Sequence, residues 1–119
     1  MKKIKLVFIY FLLVMTIFAQ EGYIASFNTL RLGKSQKDYI LTAQALEMFD
    51  IAGLIEVMDA EGVEKLINAL EKVSGEKWDY HISPYPVGKN SYKEYFAYVW
   101  KKDKVEFLKE RGFYKDTEE

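Results

Sequence analysis

The stretch Phe49-Asp50-Ile51-Ala52-Gly53-Leu54-Ile55-Glu56-Val57 is a short apolar run with a carboxylate near its far end. Helical periodicity flanks it on both sides. A near-continuous apolar run in that setting is a strand buried on both faces, as in sheets covered by helices. Open α/β sheets carry their chemistry just outside the carboxyl ends of such strands. Glu56 stands at that end, where a catalytic or metal-binding acid would stand.

The neighbouring segments support an α/β reading. Lys37 to Met48 reads as a helix, with Ser35 as its N-cap and Ile40, Leu41, Ala43, Ala45 and Met48 on its apolar side. Asp59-Ala60-Glu61 starts a second helix with a capping acid. Val63, Leu66, Ile67, Leu70 and Val73 form its apolar stripe, and Ser74-Gly75 ends it. Tyr23 to Asn28 reads as an edge strand, and Thr29 to Ser35 as a polar loop. Taken alone, Asn28 is an ordinary turn residue. The order strand, helix, strand, helix implies a crossover and a helix-covered sheet.

Trp78 to Ile82 is a further strand, broken by Pro84, Pro86 and Gly88. Tyr92 to Trp100 is aromatic and β-branched, hence strand-like. Lys101-Lys102-Asp103 is a turn, after which Lys104 to Phe107 is expected to return as a hairpin arm. Glu94 is an acid inside an aromatic strand. It faces either solvent or the rim that carries Glu56. His81 is the sole histidine. It reads as a structural or surface residue rather than a general base.

A chain of 119 residues, 50% of them hydrophobic, suits one small globular unit. The formal charge of −1 gives no overall basic field for nucleic acid. With no cysteine, disulfides and thiolate zinc sites are excluded. Residues 1–19 read as a signal peptide: Lys2, Lys3 and Lys5 are basic, Leu6 to Phe18 is apolar, and Ala19 is a small residue at a cleavage point. The apolar part is short of the roughly 20 residues of a full span, so cleavage is expected, with no stable membrane span afterwards. The mature chain, residues 20–119, is then secreted or periplasmic.

Three separated pieces share one resemblance. Ile24-Ala25-Ser26-Phe27-Asn28-Thr29-Leu30-Arg31-Leu32-Gly33 resembles the opening strand of the endonuclease/exonuclease/phosphatase superfamily. Asp50 to Val57 resembles its second strand, which carries the metal-binding acid. Pro86-Val87-Gly88-Lys89-Asn90-Ser91-Tyr92-Lys93-Glu94-Tyr95 is similar to a segment specific to the deoxyribonuclease I-like branch. The resemblance implies the first half of a two-sheet α/β sandwich, a mixed sheet with two covering helices.

It also implies a phosphodiesterase that cuts DNA, or as an alternative RNA, with Mg2+, or with Mn2+ or Ca2+ in its place. On this resemblance Glu56 would ligate the cation, a hard ion that takes oxygen ligands. Asn28 would hold the attacked phosphate or join the metal's surroundings. Glu94 would orient a general-base histidine. Tyr92, Lys89 and Arg31 would lie against the nucleic-acid backbone, positioning it without reading sequence. Met58 departs from the arginine often found two places after the metal-binding acid. The family's histidine motifs and its later aspartate-asparagine pair are absent, and the family domain is more than twice this length. The chain is therefore expected to be a truncated or split form, inactive alone, with a second polypeptide as one source of the rest. The alternatives are a non-catalytic interaction module and a phosphatase or lipid phosphodiesterase of the same superfamily.

Overall fold

A computed structural model of the chain describes residues 21–112. The expected signal peptide lies outside the described residues. Strand β1 is Ile24–Leu32, helix α1 Tyr39–Leu46, strand β2 Ile51–Val57, helix α2 Ala60–Ser74, strand β3 Trp78–Ile82 and strand β4 Tyr95–Lys101. The strands form one mixed sheet in the order β1-β2-β4-β3. β1 and β2 are parallel, and β4 is antiparallel to both β2 and β3. A mixed sheet with two helices on one face is the α/β class read from the sequence, and it fits part of a two-sheet sandwich. β2 is not buried on both faces as expected, because helices cover one face only and Ile55 on the other is 39% exposed.

Helix α2 is the covering element. Asp59 caps it: its Oδ1 accepts from the Gly62 N–H at 2.8 Å. The apolar stripe meets the sheet, with Val63, Leu66 and Leu70 fully buried against Leu54, Val57, Ala97 and Val99. Burying each such side chain is worth about 1.5–3 kcal/mol. Gly75 closes the helix in a left-handed conformation. At the other end, the start of α2 lies directly on the turn after β1. A Cβ on Gly62 would stand 2.7 Å from the Gly33 nitrogen, and one on Gly33 would run into the Asp59 carboxylate. Two side-chain-free positions therefore let β1, the Asp59 cap and α2 meet.

Three further expectations are corrected. Helix α1 begins at Tyr39, not Lys37, because Asp38 rather than Ser35 is the N-cap, accepting from the Leu41 N–H at 3.0 Å. Ser35 is engaged elsewhere: its hydroxyl donates to the carbonyls of Leu30 and Arg31 in the preceding turn. Only Ala43 and Leu46 of α1 are buried, so Ile40, Leu41 and Met48 do not form its inner face. The second correction concerns β1, which does not stop at Asn28. It continues to Leu32 through a break in register.

The expected hairpin arm after Asp103 is the third correction. Strand β4 is interior, with β2 on one edge and β3 on the other, so no edge is left for a returning arm. Residues 105–112 instead adopt neither helix nor strand. They lie across the sheet face opposite the helices. Phe107 stacks on His81 with ring centroids 4.5 Å apart and on Trp100 at 6.0 Å.

Candidate active site

The carboxyl ends of β1 and β2 lie side by side because the two strands are parallel. Asn28 pairs in register with Ile55, and Leu32 with Val57. Thr29, Leu30 and Arg31 on β1 therefore face a single β2 residue, Glu56. On the other side Leu54 pairs with Ala97 and Val57 with Tyr95, which again omits Glu56. Glu56 belongs to neither ladder. Its φ is +59°, and Leu30 and Arg31 share the left-handed region at +51° and +66°. Non-glycine residues held there cost on the order of 1–3 kcal/mol each and cluster at ligand-handling sites.

This distortion turns the Glu56 side chain toward β1. Asn28 Nδ2 donates to Glu56 Oε1 at 3.0 Å. Asn28 is itself fixed, since its Oδ1 accepts from the Leu30 N–H at 2.8 Å. Behind the pair, Thr29 is 3% exposed. Its hydroxyl lies 2.8 Å from the carbonyl oxygen of Ile55 and 3.0 Å from that of Glu56.

Glu94 and Tyr92 do not lie inside a strand as expected: β4 begins only at Tyr95, and both residues belong to the segment before it. Val87 and Glu94 exchange backbone hydrogen bonds of 2.8 and 2.9 Å, which pin this loop to the sheet. Tyr92 is 46% exposed. Its phenol is pushed up from the usual tyrosine range, first by partial burial and then by the charges of Glu56 and Glu94, with Arg31 opposing. The same phenol thus feels the charges of both acids and of the guanidinium. Glu94 Oε2 is buried, with no hydrogen-bond partner among the described residues. Lys89 starts the turn that presents Tyr92, its carbonyl accepting from the Tyr92 N–H at 3.2 Å.

His81 is elsewhere. It lies on β3, under Phe107, with Nε2 3.3 Å from Glu110 Oε2. Thr29 went unnoticed in the sequence, where it opens a polar loop. The signal was the alternation of Ala25, Phe27 and Thr29, which places a hydroxyl on the covered face of a strand.

No family model matches the chain. A Deoxyribonuclease of Thioalkalivibrio sp. (strain K90mix) is 36% identical over 86 residues, covering 71% of this chain and 24% of the relative. Deoxyribonuclease-1 of Gallus gallus is 32% identical over 99 residues, 78% of this chain and 34% of the relative. Deoxyribonuclease-1 of Homo sapiens is 34% identical over 90 residues, 69% of this chain and 31% of the relative. Over the matched stretch the chain is related to these deoxyribonucleases. It spans between about a quarter and a third of the length of these curated relatives.

As a cation site, this rim offers few protein ligands. Among the described residues no group of three or more acids or histidines converges. The Glu56 carboxylate, held by Asn28, would suit Mg2+, which uses one or two carboxylates and otherwise keeps water and substrate phosphate oxygens.

Proposed function

We propose that the chain forms the first part of a secreted, divalent-metal-dependent nuclease that hydrolyses DNA phosphodiester bonds. The Asn28–Glu56 pair carries this reading: an acid held in a strained turn at the ends of two parallel strands, in a chain similar to deoxyribonucleases. Glu56 would hold the cation through the carboxylate oxygen not engaged by Asn28. Asn28 would orient that carboxylate and keep an amide edge toward the phosphate. Such an ion, when bound, offsets charge that builds on phosphate oxygens. Arg31, Lys89 and Tyr92 would position the backbone. Glu94, with one buried oxygen unpaired, is suited to receive a cationic or N–H donor such as an imidazolium.

No histidine among the described residues stands beside Glu94, so the 119 residues alone are expected to bind DNA weakly and not to cut it. The test is binding to a labelled duplex, with and without Mg2+, alongside a plasmid-nicking assay. Expected are metal-dependent, sequence-independent binding, weakened by Arg31→Ala, and no nicking. Binding indifferent to Mg2+ and to Glu56→Ala would contradict the proposal. Nicking that needs Mg2+ and is lost in Glu56→Ala would keep the nuclease and overturn the inactivity.

A second reading, a non-catalytic module that pairs with another chain, draws on the sheet face opposite the helices. Ile24, Phe96 and Tyr98 are exposed there. Concentration-dependent association without any metal-dependent binding of DNA would favour it.

A further inference from the structure

We propose that Thr29 is a positioning residue: its hydroxyl holds Glu56 in the left-handed turn and so aims the carboxylate at Asn28 and the rim. The backbone geometry stands by itself. The link to a bound cation rests on the proposed function.

Glu56 is skipped in the register of both neighbouring ladders. The Thr29 hydroxyl lies within hydrogen-bond distance of the Glu56 carbonyl and of the Ile55 carbonyl before it. One hydroxyl proton is shared between the two. From the other side the Leu32 N–H points at the same hydroxyl oxygen at 3.4 Å. The side chain is almost wholly buried, so no solvent would replace it. A carbonyl left without its donor is costly, and relief would come from rotating the peptide between Ile55 and Glu56, whose carbonyl is the nearer to the hydroxyl and whose orientation sets the Glu56 φ. That rotation would carry Glu56 toward ordinary strand geometry and its carboxylate away from Asn28. Valine has threonine's shape without the hydroxyl, and serine keeps the hydroxyl without the methyl, so the pair isolates the hydrogen bond.

The experiment uses the full chain with Thr29→Val and Thr29→Ser, each also placed in a Glu56→Gly background. Three quantities are read: the Glu56 Cα and Cβ chemical shifts, the thermal midpoint, and Mn2+ affinity by titration of the free-ion electron paramagnetic resonance signal. Thr29→Ser should retain the left-handed shifts of Glu56. Thr29→Val should lose them and weaken Mn2+ binding by about 10-fold or more, the usual scale for a group that orients a metal ligand. Because glycine enters the left-handed region without steric cost, Thr29→Val should lower the midpoint less in the Glu56→Gly background. A folded Thr29→Val protein with unchanged Glu56 shifts would overturn the proposal. If Thr29→Val does not fold alone, folding when combined with Glu56→Gly supports it, and equal failure in both backgrounds overturns it. Absence of Mn2+ binding by the unsubstituted chain would sink the cation reading, while the shifts and the midpoints would still decide the role of Thr29.

Discussion

At the scale of single residues, the rim is defined by what surrounds the Tyr92 hydroxyl. Its phenol is raised by partial burial and then by Glu56 and Glu94, so the neutral form is favoured in the folded state. Below the ordinary tyrosine pKa of about 10 the residue is neutral whether folded or unfolded, and its contribution is fully present. As pH rises through the higher folded-state value the phenolate forms against the negative charge of Glu56 and Glu94, and the contribution is lost. Ultraviolet titration, with Tyr92→Phe subtracted, should find a midpoint above that of an ordinary tyrosine. Glu56→Gln and Glu94→Gln should each bring it down. A midpoint indifferent to both would mean that the acids do not share a rim. The sequence could nominate Glu56, because a carboxylate closing a buried apolar run is conspicuous. It could not tell whether Glu94 faced solvent or the rim, since that depends on the Val87–Glu94 bridge between residues in an irregular loop.

At the scale of elements, the site depends on how closely helix α2 approaches the turn after β1. Gly62 meets the Gly33 backbone, and the Asp59 cap occupies the space beside Gly33. Gly62→Ala gains helix propensity, yet the added methyl must push the turn or the cap aside. The clash should win, with a net loss of about 1–3 kcal/mol in denaturant unfolding, the usual range for overpacking. Stabilisation by Gly62→Ala would show that the two elements sit further apart. The long helix was legible because its stripe and both of its caps are local signals. The end of β1 was not, because a strand that loses register with its neighbour looks like a loop in one dimension. The segment after β4 was misread for a non-local reason. Whether a hairpin can form depends on which edges are already paired, and β4 has none left.

At the scale of the whole molecule, the sheet is two-sided in chemistry but covered by helices on one side only. Among the described residues no helix is long and apolar enough to cross a membrane. On the second face, residues 105–112 shelter part of an aromatic surface, while Phe96 and Tyr98 remain 43% and 52% exposed. The catalytic reading needs only the opposite property, a rim that is already shaped. The strained turn at Glu56, the Asn28 contact and the loop fixed by Val87–Glu94 are all built from described residues. A rim shaped in advance should accept a divalent cation without rearranging the sheet. The most direct measurement is a Mn2+ titration followed in the amide nuclear magnetic resonance spectrum of the full chain. Paramagnetic broadening should strike Asn28, Glu56 and Tyr92 first, spare His81 and Glu110, and vanish in Glu56→Gln. Broadening spread over surface acids such as Glu61 and Glu64, and unchanged in Glu56→Gln, would contradict the account.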